Sequence, residues 1–212
     1  MSRRNFITRP KPDFTGRRVG IYAGTFNPVH SGHIAFALQA AREAELDRVY
    51  FLPERRPRFK QGVEHFGHRV AMLKRAAKPH PQFSVLELND IDFTVDRTLP
   101  KLSDRFRGGQ LIFLLGSDAA LQLADWPNLG RFLNKVEIVV GLRQRGSDIR
   151  VREAMRHWPL QPPAVHLFES FAPEISSRDV REALYQRQAA PGLLTSVQKY
   201  SDRHWLYVSL AG

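Results

Sequence analysis

The chain has 212 residues, 25% of them charged, and its apolar runs are far shorter than the roughly 20 residues that a membrane-spanning helix needs. It contains no cysteine, which excludes disulfides, thiolate metal sites, iron–sulfur clusters and a cysteine nucleophile. With 32 basic and 21 acidic residues the net charge is +11, so we expect an anionic partner: nucleic acid, a lipid surface or a phosphorylated small molecule.

Residues 1–18 form a basic segment in which Asp13 is the only acid. No apolar run follows these charges, and Pro10 and Pro12 would interrupt a helix, so a targeting peptide is not expected. We predict that 1–18 is a disordered tail, that 19–212 form one domain, and that the protein is cytoplasmic.

Short apolar runs alternate with longer amphipathic segments, a pattern typical of a parallel sheet covered by helices. Strands are predicted over 19–23, 49–52, 83–88, 111–115, 136–141 and 165–168. Helices are predicted over 31–45, 65–78, 178–187 and 193–200. We therefore predict an α/β fold: a single doubly wound domain with a mostly parallel sheet and helices on both faces. In such sheets ligands bind beyond the carboxyl ends of the strands.

The segment 24–33 follows the first predicted strand and opens the first predicted helix. Gly24 permits a tight turn, Pro28 fixes the backbone, and the helix N-terminus directs free N–H groups at an anion. His30 and His33 are three residues apart, so both imidazoles can reach the same phosphate. Helix capping with core packing is one alternative. A zinc site is another, weakened because no third ligand lies nearby in the sequence.

A second candidate phosphate site begins about 145 residues later, at Ile175. Ser176 and Ser177 can cap a helix whose free amides, with Arg181, would face phosphates. Ordinary capping is the alternative, and it is compatible with phosphate binding. Together with the His-x-Gly-His motif at His30, this segment resembles the nucleotidylyltransferase superfamily. Within it, the chain is similar to the nicotinate (or nicotinamide) mononucleotide adenylyltransferases over about 19–207.

The resemblance implies a Rossmann-like fold and a set of site residues. Catalytic roles are implied for His30, His33, Lys60 and Arg181. ATP binding is implied for Gly24, Thr25, Phe26, His33, Gly116, Asp118, Ile175, Ser176, Ser177 and Arg181. Binding of the pyridine mononucleotide is implied for Asn27, Lys60, Thr94, Trp126 and Arg143. In this scheme Asp118 holds the adenosine ribose and the indole of Trp126 stacks on the pyridine ring.

The reaction implied by the resemblance is adenylyl transfer from ATP to nicotinate mononucleotide, which gives deamido-NAD and pyrophosphate in NAD biosynthesis. Because the attacking phosphate oxygen is already anionic, catalysis reduces to holding two polyanions together and neutralising charge. Mg²⁺ carried on the ATP phosphates is the implied cofactor, and no protein metal site is expected.

Two other functions remain open. A sister enzyme, a phosphopantetheine adenylyltransferase or a cytidylyltransferase, shares the histidine motif. A catalytically weak nucleotide-binding protein is favoured by departures from the family pattern: Phe59 replaces a histidine, Arg178 replaces a threonine, and Thr94 and Thr98 are one residue farther apart. No nucleic-acid-binding motif occurs, so no specific nucleic-acid partner is expected, whereas a homo-oligomer is compatible with the sequence.

Overall fold

The computed structural model describes residues 14–57, 60–142, 147–170 and 175–208. Six parallel strands form one sheet in the order β3-β2-β1-β4-β5-β6. The strands are β1 (Arg18–Gly24), β2 (Arg48–Pro53), β3 (Phe83–Val85), β4 (Gln110–Gly116), β5 (Val136–Leu142) and β6 (Val165–Glu169). All six predicted strands are confirmed. β3 is shorter than predicted because the chain leaves the sheet edge after Leu86 N–H donates to Phe51 O.

The helices connect these strands and cover both faces of the sheet. They are α1 (Ser31–Glu43), α2 (Phe66–Ala77), α3 (Thr98–Arg105), α4 (Ser117–Leu121), α5 (Leu129–Leu133), α6 (Ser147–Arg156), α7 (Ser177–Tyr185) and α8 (Thr195–Arg203), with a 3₁₀ turn at Gln122–Asp125. The four predicted helices correspond to α1, α2, α7 and α8. Within the described ranges, no helix is long and apolar enough to cross a membrane.

Alternate side chains of the central strands enter two separate hydrophobic cores. In β4, Leu111, Phe113 and Leu115 face one core, whereas Ile112 and Leu114 face the other. This alternation follows from the two-residue period of a strand, and it shows that both faces of the sheet are buried. The predicted single α/β, doubly wound domain with helices on both faces is therefore confirmed.

Residues 14–18, which the sequence analysis assigns to the tail, belong to the folded domain. Phe14 packs edge-on against Phe106 with ring centroids 4.9 Å apart, and Arg18 is the first residue of β1. Residues 1–13 lie outside the described ranges, so their predicted disorder stays a prediction.

Arg18 anchors a charged cluster at the amino edge of the sheet. Its guanidinium donates to both carboxylate oxygens of Glu137 in β5, at 3.2 and 2.7 Å. His166 Nε2 in β6 lies 3.5 Å from the same carboxylate. Burial by itself would raise the pKa of Glu137, but the hydrogen bonds and charges of Arg18 and His166 outweigh it and hold that pKa below its ordinary value.

Glu137→Gln should make stability less dependent on pH. A carboxyl with a lowered pKa in the folded chain stabilises the fold above its unfolded pKa, and this contribution is lost as the pH falls through the folded value. The variant should be less stable than wild type near pH 7, and the difference should shrink below about pH 4. Urea unfolding across this range measures it, with Glu87→Gln, an exposed partner of Lys74, as control. A difference independent of pH would contradict the prediction.

Candidate active site

A cleft of about 500 Å³ opens at the carboxyl edge of the sheet, a volume typical of small-molecule sites. The strand order reverses between β1 and β4, and the cleft lies beyond the ends of these two strands, the usual ligand position in a doubly wound fold. Its walls come from the loop after β1, the segment after β2, the start of α4 and the start of α7.

Most of the predicted site residues meet in this cleft. Those that line it are Gly24, Thr25, Phe26, Asn27, His30, His33, Lys60, Gly116, Asp118, Ser176, Ser177 and Arg181. Ile175 lines a small adjoining pocket that also contacts both histidines. Thr94 and Trp126 do not line the cleft, and Arg143 lies outside the described residues. Gln61, Val63 and Arg178 contribute to the lining without having been predicted as site residues.

The two histidine rings lie against each other at the start of α1, tilted by 40°. Their ring centroids are 3.8 Å apart, His30 is buried and His33 is partly exposed. His33 Nδ1 accepts a hydrogen bond from the backbone N–H of His30 at 3.2 Å. In the neutral ring this contact assigns the proton to Nε2, which makes Nε2 of His33 a hydrogen-bond donor at the cleft.

Two of the first amides of α1, those of Ser31 and His33, have partners within the chain, contrary to the prediction that the amides of this turn are unpaired. Ser31 N–H donates to Gly192 O at 2.8 Å, and His33 N–H donates to His30 O at 3.0 Å. The N–H of His30 is bonded to the His33 ring. These amides are therefore already bonded, whereas the imidazole side chains of His30 and His33 line the cleft.

The tight turn after β1 is made by Phe26 rather than by Gly24 as predicted. Phe26 has φ of 50°, in the left-handed region, whereas Gly24 has no positive φ. A Cβ on Gly24 would lie 3.1 Å from the Phe26 ring. Gly24 is therefore needed because the ring folds back over the end of β1, where it is 2% exposed.

Helix α7 is bonded directly to the loop after β1. Ser176 Oγ accepts from Asp179 N–H at 3.2 Å, the helix cap that the sequence predicts. Ser177 Oγ donates to Pro28 O at 2.8 Å. Arg181 Nη1 donates to Asn27 O at 2.7 Å and to Ser177 O at 3.0 Å. These bonds bring the two phosphate-binding motifs together and hold the Arg181 guanidinium at the cleft.

Asn27 is largely occupied in holding the site together. Its Nδ2 donates to Gly62 O at 3.3 Å, and its Oδ1 accepts from Glu64 N–H at 3.2 Å and from the Tyr207 hydroxyl at 2.7 Å. Burial, with the charge of Glu64, raises the pKa of Tyr207, so this hydroxyl stays protonated and donates. An asparagine side chain offers two N–H donors, and one remains for the predicted pyridine nucleotide contact.

Arg69 in α2 does not line the cleft but supports its loops, and it is not among the predicted site residues. It is 1% exposed, and its guanidinium donates to four backbone carbonyls: Thr25, Glu54, Arg55 and Glu64, at 2.7–3.0 Å. Burial lowers the pKa of Arg69 from its ordinary value. Arg69 thereby fixes the loops after β1 and β2 relative to α2.

The charge of the cleft is positive. Lys60, Arg178 and Arg181 line it, and Asp118 is the only carboxylate among its described lining residues. Lys60 Nζ donates to the Thr25 hydroxyl at 2.9 Å, which directs this exposed side chain toward the loop after β1. The arrangement suits a ligand with several negative charges.

Thr94 and Trp126 do not line the cleft, and both have partners elsewhere in the fold. Thr94 Oγ1 accepts from Arg97 N–H at 3.2 Å and so supports the start of α3. Trp126 is partly buried against Phe93 and Phe132, with ring centroids 5.4 and 5.5 Å away. The structure therefore gives both residues a structural role, and their predicted contacts with the pyridine nucleotide stay predictions.

Known proteins resemble this chain over most of its length. Residues 21–183 match the family model described as cytidylyltransferase-like. The nicotinate-nucleotide adenylyltransferase of Bacillus subtilis (strain 168) is 31% identical over 91% of this chain and 100% of its own length. A probable nicotinate-nucleotide adenylyltransferase of Desulfitobacterium hafniense (strain Y51) is 33% identical over 90% of this chain and 96% of its own.

A solved structure shares the fold at low sequence identity. Nicotinic acid mononucleotide adenylyltransferase of Plasmodium falciparum, complexed with NaAD, has a TM-score of 0.75 and 16% identity, covering 90% of this chain and 97% of that one. The predicted Rossmann-like architecture is confirmed by this likeness.

Proposed function

The chain belongs to the cytidylyltransferase-like family and, within it, to the nicotinate-nucleotide adenylyltransferases, and on that basis we propose that it transfers the adenylyl group of ATP to nicotinate mononucleotide. The products are deamido-NAD and pyrophosphate, which makes the reaction a step of NAD biosynthesis. The chain is thus a nucleotidyltransferase.

One observation carries this proposal: the groups of the two motifs lie in a single positive cleft. His30 and His33 reach it from α1, and Ser177 and Arg181 reach it from α7, joined by the bond from Arg181 to Asn27 O. Each motif alone is compatible with a helix cap. Their convergence around about 500 Å³ of space is what favours a substrate with several phosphates.

The chemistry follows from these donors. A phosphate oxygen of the mononucleotide attacks the α-phosphorus of ATP, a new P–O bond forms, and the bond to the β-phosphate oxygen breaks to release pyrophosphate. The Nε2–H of His33 donates to the α-phosphate, where negative charge is redistributed during transfer. Lys60 reduces the repulsion between the two substrates, and Arg181, held by Nη1, binds the leaving phosphates through its remaining N–H groups.

Mg²⁺ is proposed to enter with ATP. Among the residues that the structure describes, no group of three or more His, Asp or Glu side chains could hold a metal ion. Mg²⁺ is a hard cation that would be bound mainly by phosphate oxygens and water. Asp118 is the carboxylate that lines the cleft near it. Bound in this way, the ion would neutralise charge on the triphosphate.

An acceptor panel tests the function directly. Purified protein is given ATP with nicotinate mononucleotide, nicotinamide mononucleotide or phosphopantetheine, and pyrophosphate release is measured. We expect the highest kcat/KM with nicotinate mononucleotide. Faster turnover of phosphopantetheine would identify a sister enzyme, and ATP binding without turnover of any acceptor would identify a nucleotide-binding protein.

Trp126→Ala should raise the KM for nicotinate mononucleotide while leaving the KM for ATP unchanged. The reason is that an indole provides a flat apolar surface for the pyridine ring, which alanine lacks. Steady-state kinetics with each substrate varied in turn measures the effect, and Phe93→Leu, which changes the ring next to Trp126, is the control for altered core contacts. An unchanged KM would leave Trp126 with its structural role alone.

The cytoplasmic location and the oligomeric state stay predictions.

A further inference from the structure

A basic pocket that the proposed reaction does not use lies between the C-terminal end of α2 and helix α8. Its volume is about 320 Å³, and it is lined by Arg75, Lys78, Ser196, Lys199, Tyr200 and Arg203. None of these residues lines the nucleotide cleft. Tyr200 also joins α8 to the first turn of α2, through a hydrogen bond of 3.0 Å between its hydroxyl and His68 Nδ1.

The charge of this pocket is not neutralised within the described part of the chain. Arg75, Lys78, Lys199 and Arg203 supply four positive charges, and none of them forms an ion pair with a described carboxylate. Helix α2 contains no acidic residue, and the one acidic residue of α8, Asp202, does not line the pocket. The C-terminus of α2 contributes only about half a negative charge. An anion would therefore relieve the mutual repulsion of the four cations.

The aromatic residue of the pocket does not offer a stacking surface. The Arg75 guanidinium lies 4.2 Å from the centroid of the Tyr200 ring, and the His204 ring centroid is also 4.2 Å away. The Tyr200 hydroxyl is bonded to His68. Recognition in this pocket thus depends on charge, which favours phosphate groups over a nucleobase.

We propose that the pocket between α2 and α8 binds a small soluble anion that carries two or more phosphate groups. The ligand is small because the four exposed cations line one open pocket, at the lower end of the volumes seen for ligand sites, instead of lying along an extended face as in nucleic-acid-binding proteins. This site is separate from the nucleotide cleft. It would explain part of the chain's positive charge that adenylyl transfer does not require.

Isothermal titration of the full chain with inorganic tripolyphosphate tests the proposal without depending on adenylyl transfer. Lys199→Ala/Arg203→Ala removes two pocket cations one helical turn apart, and it should weaken binding at this site by about 10²-fold. The control, Arg48→Ala/Lys135→Ala, removes the same charge from exposed positions at the amino edge of the sheet and should bind like wild type. Arg181→Ala, which alters only the nucleotide cleft, should retain the pocket site.

Three results would overturn the proposal. The first is a Lys199→Ala/Arg203→Ala protein that binds tripolyphosphate with the stoichiometry and affinity of wild type. The second is a loss of all tripolyphosphate binding in Arg181→Ala, which would assign every binding event to the cleft. The third is a single-stranded oligonucleotide that binds wild type more tightly than tripolyphosphate does at physiological salt, which would make the pocket part of a nucleic-acid surface.

Discussion

Arg69→Met should lower the free energy of unfolding by about 3–5 kcal/mol, the largest stability change that we expect from any single substitution of this chain. Methionine fills a similar elongated space but donates no hydrogen bond. Four carbonyls that now accept from the guanidinium would lose that partner in a site where Arg69 is 1% exposed. Urea unfolding followed by circular dichroism measures the change.

A substitution on the same helix separates this effect from a general loss of charge. Lys74→Met removes a cation that is 57% exposed and paired with Glu87 at the surface, so it should cost no more than about 1 kcal/mol. Arg69→Lys should recover only part of the loss because an ammonium cannot reproduce the planar set of donors. If the free energy of unfolding of Arg69→Met is within about 1 kcal/mol of the wild-type value, the guanidinium does not hold the loops.

His33→Ala should reduce kcat/KM by about 10²–10³-fold, equivalent to 2.7–4 kcal/mol of transition-state stabilisation, with the fold intact. The substitution removes an Nε2–H donor whose tautomer is set by the hydrogen bond from His30 N–H. Initial rates of pyrophosphate release measure the loss, and circular dichroism confirms folding.

His157→Ala is the matched control for this loss. The His157 side chain, directly after α6, is 74% exposed and does not line the cleft, so its removal should leave turnover unchanged. Near-normal activity of His33→Ala would show that His33 does not touch the reacting phosphate. An equal loss in both variants would point to instability of the protein.

The sheet could be predicted from the sequence because its strands are short, apolar and bounded by polar segments. Val19, Leu111 and Val136 each begin such a run, and all three are buried. Helices α4 and α5 were not predicted because they have only five residues each, too few for a helical period to emerge. The contact of Phe14 with Phe106 could not be predicted, because one aromatic residue in a polar segment gives no periodic signal. The predicted domain therefore begins at residue 19, after this contact.

The site was predictable where its residues follow strands and begin helices, as His33 and Arg181 do. It was not predictable where the contacts span distant segments. Arg69 lies three residues after Phe66 and four before Leu73, on the apolar face of α2, and this position was the available signal that it is buried. Nothing in the sequence indicates which four carbonyls receive its hydrogen bonds, because these lie in two separate loops, one after β1 and one between β2 and α2.

The hydrogen bond from Tyr207 to Asn27 Oδ1 joins residues 180 positions apart, and this sets when the site can mature during synthesis. At about 5–20 residues per second, Asn27 is made roughly 9–36 s before Tyr207. Throughout that interval the loop after β1 lacks this anchor, and for most of it the bond from Arg181 is missing as well. A growing chain can therefore assemble β1 to β5 while its nucleotide site is still incomplete, and substrate binding should begin only after Tyr207 has been made.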